Sequence, residues 1–267
     1  MLFSIFINQL IAALNREDFG GAKVEDIIIK VLAFADDFAL IARTVVEMKK
    51  MIEVLHNFAT ATGMKVNLSK SKIMVFKNGG KLSKYEYWYY GNDKIEVVKK
   101  YKYLGVWFAA NGKFCLHIQN AALCAKQTLG RIWNVFVDLR ISALDPKIQL
   151  FNAVIKTALL YGAEIWGVNQ FNEVDQVQLW FIKKLYWLKR STPNYMIYLE
   201  FGLLPLWIDS LKRYFSYLER IAWYDETRFP KACFSQRLKN DMELFKPLKL
   251  LLNKAGFGGN FDMDRIV

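Results

Sequence analysis

The spacing of apolar residues changes near residue 114, and this change constrains the fold more than any other feature. Before it, short apolar segments alternate with turn residues, which is typical of strands. After it, apolar residues recur at helical spacing, which predicts helices at roughly 114–138, 146–162, 173–190 and 206–224. Pro146 falls in the first turn of the second of these helices, and Pro205 precedes the fourth. We therefore predict an α+β piece followed by an all-helical piece.

One helix with well-defined ends is predicted inside the strand-like part. Thr44 and Glu47 have the spacing of a capping box, and apolar residues follow at helical spacing until Gly63 supplies a stop. A buried β-hairpin is predicted before this helix, with strands at 27–31 and 38–42. Further short strands are predicted at 73–76, 85–90, 95–98 and 103–108.

The composition excludes several classes of protein. With 267 residues, of which 54% are hydrophobic, the chain can bury a substantial core. Its cysteines, Cys115, Cys124 and Cys233, are odd in number and form no C-x-x-C pair, which disfavours a disulfide scaffold or a structural zinc site. A reducing compartment, nucleus or cytoplasm, is expected. Since Glu164 interrupts the longest apolar candidate, no membrane partner is expected.

Charge is distributed unevenly along the sequence. The whole chain carries a net charge of +12, but residues 1–62 contain 6 basic and 8 acidic residues, whereas residues 63–113 contain 11 lysines and 3 acidic residues. An acidic segment followed directly by a lysine-rich one suits metal-binding carboxylates beside a surface that holds phosphates. A solvated face that only keeps the protein soluble explains the lysines about equally well.

The most specific feature is the Phe34-Ala35-Asp36-Asp37 sequence between two apolar segments. Adjacent carboxylates on a regular strand point to opposite faces, but at the tip of a tight hairpin both can be aimed near one point. Two metal ions held there could activate a 3′-hydroxyl and stabilise a leaving pyrophosphate. An Asp-Asp pair is usually an ordinary solvated turn. The apolar flanks favour the metal site, since burying two carboxylates is costly unless cations compensate them.

In this setting the Phe-Ala-Asp-Asp hairpin resembles the third conserved motif of non-LTR (LINE-like) retrotransposon reverse transcriptases. Other segments agree with that family in order and spacing. These are 3–10, similar to the helix that ends the preceding palm motif; 63–72, similar to the next motif with its Lys-Ser-Lys run; 103–105, similar to the primer-grip hairpin; and 192–206, similar to the region after the thumb. The resemblance covers about residues 3–225.

The resemblance implies a partial polymerase palm at 1–110, a helical thumb and connector at 111–225, and a tail of unassigned role at 226–267. Asp36 and Asp37 would be catalytic metal ligands for Mg²⁺, or alternatively Mn²⁺. Lys72, or else Lys70, would lie near the incoming triphosphate. Bound partners would be an RNA template, a DNA primer and a deoxynucleoside triphosphate.

The primer-grip resemblance assigns Tyr103, Leu104 and Gly105 to nucleic-acid binding, as the hairpin that orients the primer end. An ordinary apolar strand with a bulge explains these three residues about equally well. In the helical part, the Lys183-Lys184 and Lys189-Arg190 pairs could contact backbone phosphates or simply form a solvated helix face.

The sequence departs from the family because the strand that carries its first catalytic carboxylate, and its fingers, have no counterpart here. Met1 would then be an internal methionine of a longer frame or the start of a decayed copy. The chain is expected to be an RNA-directed DNA polymerase fragment that is inactive alone. The alternatives are a non-catalytic nucleic-acid-binding remnant and an unselected pseudogene product that does not fold stably.

Overall fold

A computed structural model describes residues 2–77, 79–138, 140, 143–169 and 171–240. Most of the predicted tail, residues 241–267, therefore lies outside the described residues.

Helices and short strands both occur, so the α+β class is confirmed. The helices are α1 (Leu2–Arg16), α2 (Val45–Thr62), α3 (Cys115–Asp138), α4 (Leu144–Leu150), α5 (Thr157–Leu159), α6 (Ala163–Trp166), α7 (Asn172–Leu185), α8 (Asn194–Glu200), α9 (Leu206–Ala222) and α10 (Phe229–Asn240). A π-helical segment, Phe151–Lys156, joins α4 to α5. The strands are β1 (Ala22–Val24), β2 (Ile27–Ile29), β3 (Val31–Phe34), β4 (Asp37–Leu40), β5 (Lys72–Ile73), β6 (Tyr89–Tyr90), β7 (Asp93–Lys94), β8 (Glu96–Val97), β9 (Lys100–Tyr103) and β10 (Val106–Ala109).

The chain divides into two compact units, and their boundary falls inside β9. The described part of the first unit comprises residues 2–101, 110–112 and 224–240, apart from residue 78. The described part of the second comprises 102–109 and 113–223, apart from 139, 141, 142 and 170.

The ends of α2 follow from local sequence, as predicted. The Thr44 side chain accepts a hydrogen bond from the Glu47 N–H, and the Glu47 carboxylate accepts one from the Thr44 N–H, so the capping box is complete. Gly63 ends the helix in the left-handed conformation at φ 70°. The buried side of α2 carries Met51, Ile52 and Ala59.

The hairpin prediction was right about its turn and wrong about its first strand. Residues 27–29 pair with 22–24, and the strand that leads into the two aspartates is instead β3, which pairs with β4. Glu25 has φ 51° and allows the chain to reverse directly before 27–29. The sequence shows no sign of this extra hairpin, because its strands have no marked alternation of apolar residues. The hairpin is also less buried than predicted, because a two-stranded sheet covers only one face: Val31 is buried while Leu32 and Phe34 are exposed.

The predicted strands between 73 and 108 are shorter than expected. Residues 73–76 contribute only the end of β5, and 85–90 only β6. Residues 103–108 are not one strand, because a turn at Leu104 and Gly105 separates β9 from β10. The strands form two-stranded sheets, among them β5 parallel to β8 and β6 antiparallel to β7.

The second unit is built on one large apolar core. Among its described residues, eighteen buried ones form a single cluster, with Trp166 and Phe181 among the largest fully buried side chains. The predicted helix at 146–162 is present but contains the π-helical segment, and the one at 173–190 ends at Leu185, shortly before Trp187 takes φ 57°. None of the helices in the described part of the chain has the length and apolar character that a bilayer crossing requires.

Candidate functional site

Asp36 and Asp37 lie at the tip of the β3–β4 hairpin. Phe34 pairs with Asp37, so Ala35 and Asp36 form a two-residue turn in which Ala35 has φ 53°. Both carboxylates are exposed. Neither has a hydrogen-bond or ion-pair partner among the described residues. The tip therefore presents two adjacent, unneutralised carboxylates to solvent, which a divalent cation could bind.

This exposure corrects one step of the sequence-based reasoning. The apolar flanks suggested that burial would make the carboxylates depend on cations, but Phe34 is 64% exposed and the aspartates are solvated. Within the described residues, no group of three or more His, Cys, Asp or Glu side chains is arranged to hold a metal ion. The assignment of Asp36 and Asp37 as metal ligands stays a prediction.

The base of the hairpin is fixed to the first unit's core. Val31 is buried with Leu10 and Leu14 of α1 and Met51 of α2, and Phe38 packs against the same cluster. This places one face of the hairpin against the helix 45–62, as predicted. The carboxylates thus sit at the exposed end of an anchored hairpin.

Lys30, just before β3, ties this hairpin to the end of α1. Its side chain is buried, and its Nζ donates to the backbone oxygens of Leu14, at 3.1 Å, and of Glu17. An ammonium at a helix C-terminus satisfies carbonyls that have no partner within the helix and interacts favourably with its dipole.

The Lys-Ser-Lys run follows a side-chain-stabilised turn. The Asn67 Oδ1 accepts hydrogen bonds from the Ser69 N–H at 3.1 Å and from the Lys70 N–H at 3.3 Å, which is the geometry of an Asx turn. The Lys70 carbonyl accepts a hydrogen bond from the Tyr101 hydroxyl at 2.8 Å, while the Lys70 side chain is exposed. Backbone contacts therefore fix the turn and leave the Lys70 ammonium in solvent.

Lys72 is engaged differently. It is paired with Glu96 in the β5–β8 register, and its Nζ lies 2.8 Å from the Glu96 carboxylate. The Lys72 side chain is 20% exposed, against 67% for Glu96. To contact a triphosphate, the Lys72 ammonium would have to share its charge with the Glu96 carboxylate or move away from it. The Lys70 ammonium is not held in this way and is therefore more available.

The Tyr103-Leu104-Gly105 segment, in the second unit, forms the turn between β9 and β10. Leu104 has φ 46° and Gly105 φ 82°, so two consecutive residues are left-handed, which is typical of a type I′ hairpin turn. The Tyr161 hydroxyl donates to the Leu104 carbonyl at 3.0 Å. A Cβ added at Gly105 would lie 2.8 Å from the Tyr161 ring, so glycine is needed both for its conformation and for this close approach.

His117 of α3 links β10 to Tyr161, and sequence reasoning missed both His117 and Tyr161. The His117 Nδ1 accepts from the Trp107 N–H at 3.3 Å, and Nε2 lies 3.2 Å from the Tyr161 carbonyl. This arrangement requires the neutral ring with its proton on Nε2. Burial lowers the pKa of His117, the hydrogen bond to Tyr161 opposes that effect, and nearby Lys102 adds to it.

The predicted site residues thus divide between the two units. Asp36, Asp37, Lys70 and Lys72 belong to the first unit, and the 103–105 turn to the second. Their roles in binding stay predictions.

Of the two basic pairs predicted in the helical part, Lys183-Lys184 is engaged within the second unit, whereas Lys189 and Arg190 have exposed side chains. The Lys183 Nζ donates to the carbonyls of Arg190, at 2.9 Å, and Thr192, at 2.8 Å. Lys184 lies over the rings of Trp133 and Trp180, at 4.3 and 5.1 Å. These two lysines therefore stabilise the fold, which weakens the case for phosphate contacts there.

The comparison with protein families decides the class of the first part. Residues 1–108 match the family described as reverse transcriptase (RNA-dependent DNA polymerase). These residues belong to the reverse transcriptase family. The match contains the hairpin with its two aspartates, the Lys-Ser-Lys run and the turn at 103–105.

Curated relatives place this reverse transcriptase sequence among the non-LTR retrotransposons. The chain is 30% identical over 120 residues, 42% of its length, to the Pol polyprotein of the type-2 retrotransposable element R2DM of Drosophila melanogaster. It is 25% identical over 220 residues, 79% of its length, to the Pol polyprotein of the type-1 retrotransposable element R2 of Popillia japonica. A putative transposon-derived protein of Caenorhabditis elegans is 27% identical over 145 residues, 52% of this chain.

These alignments cover only part of each relative. They span 11% of the Drosophila polyprotein, 30% of the Popillia one and 49% of the Caenorhabditis protein. The chain is therefore related to a segment of a non-LTR reverse transcriptase.

Proposed function

We propose that this chain is the segment of a non-LTR RNA-directed DNA polymerase that carries the later palm motifs and the helical thumb and connector. Asp36 would bind catalytic Mg²⁺ or Mn²⁺ with Asp37 as its partner carboxylate, and Lys70 or Lys72 would neutralise the triphosphate. The 103–105 turn would orient the primer. RNA template, DNA primer and deoxynucleoside triphosphate are the proposed ligands.

The observation that carries this proposal is the position of the two aspartates at an anchored hairpin tip inside the matched residues 1–108. Exposed carboxylates with no protein partner are suited to binding metal ions. Two-metal transfer also needs ligands from more than one strand to hold the ions about 3.5–4 Å apart. One hairpin supplies only part of that set, so we expect the 267-residue chain to be inactive by itself.

The first prediction tests activity by primer extension on an RNA template with Mg²⁺. The purified chain should give no extension product. A fusion of Met1 to the fingers and first palm strand of a related retrotransposon should extend the primer, because it supplies a further carboxylate and the template contacts that hold the reactants in line.

Two variants of the fusion test whether activity depends on the hairpin carboxylate. Asp36→Ala should abolish extension, whereas Asp93→Ala, which removes an exposed carboxylate of the same unit, should leave it within about twofold. Extension by the unfused chain would mean that another carboxylate, Asp18 or Asp26, completes the site. A folded but inactive fusion would favour the second candidate function.

That second candidate is sequence-independent nucleic-acid binding without catalysis. It is favoured by the 11 lysines of residues 63–113, of which Lys70, Lys99 and Lys100 have exposed side chains. Ammonium groups at a surface bind backbone phosphates by releasing counterions, and this requires no metal site.

The second prediction concerns the salt dependence of that binding. Replacing Lys70, Lys72, Lys99 and Lys100 together by Ala should flatten the slope of log affinity against log salt. On duplex DNA the change should be about 0.9 for each phosphate that the variant no longer neutralises. Lys72→Ala alone should change the slope least, because Glu96 already neutralises Lys72. An unchanged slope in the fourfold variant would place the binding surface elsewhere.

A further inference from the structure

Three exposed tyrosines lie close together in a segment of the first unit. From Tyr85 to Tyr90 exposed and covered residues alternate: Tyr85, Tyr87 and Tyr89 are 69%, 48% and 51% exposed, whereas Trp88 is 3% exposed. Tyr87 and Tyr89 lie on the same side, because their ring centroids are 6.3 Å apart, and Tyr85 lies in the turn directly before them, which the Glu86 N–H closes by donating to the Ser83 carbonyl. A row of exposed aromatic rings is unusual on a surface with no partner.

The opposite side of residues 88–90 is fixed to the unit's core. Trp88 is buried with Ile52 of α2 and Ile95, and the Ile95 N–H donates to the Trp88 carbonyl at 2.9 Å. The Tyr90 ring packs edge-on against His56 of α2, with centroids 4.9 Å apart. These contacts fix residues 88–90 and so hold Tyr89 in place.

Lysines lie between the exposed rings. The Lys49 Nζ is 3.8 Å from the centroid of the Tyr87 ring. Lys94 is the register partner of Tyr89 in the β6–β7 sheet and is exposed, so both side chains lie on the same face. Lys84 directly precedes Tyr85 and is also exposed.

Two of the neighbouring acidic residues do not neutralise this face. Glu86 is part-buried, and its carboxylate accepts a hydrogen bond from the Ser83 N–H at 2.6 Å. Asp93 is the register partner of Tyr90, which places it on the opposite side of the sheet from Tyr89. These two carboxylates therefore do not offset the lysines of this face.

We propose that Tyr85, Tyr87 and Tyr89, with Lys49, Lys84 and Lys94, form a platform that binds single-stranded nucleic acid by stacking. Flat aromatic rings provide surfaces for unpaired bases, and ammonium groups between them match the charge of the connecting phosphates. Tyr85 and Tyr89 are the stacking positions, because Lys49 already covers one face of Tyr87. Bases within a duplex are stacked on one another and cannot use these rings, so the platform selects unpaired strands.

The platform rests on the proposed function, because the RNA template of a polymerase is single-stranded. Binding to the platform requires neither Asp36 nor Asp37. Its test therefore measures binding alone. Fluorescence anisotropy of the full chain with labelled oligo(dT) and oligo(U), each of a length on the order of one single-strand binding site, is compared with a duplex of equal length. The double variant Tyr85→Ser, Tyr89→Ser should bind both single strands at least about 25-fold more weakly. Duplex affinity and the salt slope should stay unchanged, since no charge is altered.

Matched variants distinguish a loss of base stacking from a loss of folding. Tyr85→Phe, Tyr89→Phe keeps the rings and should bind within about threefold of the wild type. Tyr195→Ser removes a tyrosine that is 66% exposed on α8 and should change nothing. With Tyr89→Trp, a single strand should quench the new indole's fluorescence.

Three outcomes would overturn the platform. The first is unchanged single-strand affinity in the double serine variant. The second is an equal loss on duplex DNA, which would indicate a purely electrostatic surface. The third is absence of nucleic-acid binding together with concentration-dependent self-association that the serine variant abolishes, which would make the row a protein interface. Loss of primer extension in the fusion with intact single-strand binding would contradict the proposed catalytic function and leave the platform standing.

Discussion

The two units differ in how firmly they hold their candidate functional residues. In the first unit, two small clusters with four and three buried residues support two-stranded sheets, and the aspartates sit at an exposed tip. In the second, a cluster of eighteen buried residues among those described supports the helices, and the Tyr161 hydroxyl holds the 103–105 turn through its hydrogen bond to the Leu104 carbonyl.

This difference indicates how much local order each candidate site has by itself. The 103–105 turn is tied to its unit by the hydrogen bond from Tyr161 to Leu104 and by the close approach of Gly105 to the Tyr161 ring, so it has local order before any ligand arrives. A hairpin tip with unpaired carboxylates needs cations and further protein groups to fix it. We infer that the first unit depends more on its ligands than the second does.

The largest expected effect is on the core of the second unit. Phe181 is 1% exposed and stacks on Phe151 with ring centroids 4.4 Å apart. Phe181→Ala should lower the free energy of unfolding by about 3–5 kcal/mol, measured by urea denaturation with tryptophan fluorescence. Val135→Ala, at a side chain 46% exposed, should cost less than about 0.5 kcal/mol. Equal losses in the two variants would mean that the cluster is not one tightly packed core.

A smaller effect tests the rigidity of the 103–105 turn. Gly105→Ala should cost about 2–3 kcal/mol, because it combines a left-handed residue with a Cβ only 2.8 Å from the Tyr161 ring. The control is Gly112→Ala, where φ is +69° and a Cβ would meet nothing within 4 Å, so only the conformational cost of about 1 kcal/mol applies. Thermal unfolding measures both. Equal losses of unfolding free energy in the two variants would show that the Tyr161 ring moves aside easily and that the turn is not held rigidly.

The smallest expected effect depends on pH. Burial raises the pKa of Asp175 to about 6, although hydrogen bonds from the Trp207 and Leu206 N–H groups oppose the shift. The folded state therefore binds this proton more tightly than the unfolded state does. The resulting stability is present below about pH 4 and is lost as pH rises to about 6.

Asp175→Asn should remove that dependence, so its stability relative to the wild type should rise by about 1 kcal/mol from pH 4 to pH 6, after allowance for solvent screening at a part-exposed site. Thermal melts at pH 4, 5, 6 and 7 measure this difference. Glu173→Gln makes the same change of charge in the same helical turn and is the control. A relative stability that falls over this range would contradict the assigned direction.

Features that depend on neighbouring residues could be predicted from the sequence. The Thr44–Glu47 capping box, the stop at Gly63 and the helix at 115–138 all follow from local spacing, and the structure confirms them. The turn at Asp36 was also predicted correctly, because two apolar segments flank it. These elements require no information from distant parts of the chain.

Long-range contacts could not be predicted in this way. Tyr161 reaches Leu104 across 57 residues, and His117 reaches Tyr161 across 44. A tyrosine hydroxyl or an imidazole carries no local sign of such a distant partner. The exposure of Leu32 and Phe34 was missed for a related reason: apolar strands predict burial, but a two-stranded sheet has too little structure around it to cover both faces.

The buried ammonium of Lys30 changes how the first unit meets a polyanion. By sequence, residues 1–62 have 6 basic and 8 acidic residues, but the Lys30 charge is bound to the carbonyls of Leu14 and Glu17 and faces away from solvent. An approaching nucleic acid therefore meets a more repulsive field along this segment than the count implies, and an attractive one along the lysines that follow. Such an asymmetric field orients encounters during diffusion, so the association rate should fall as ionic strength rises.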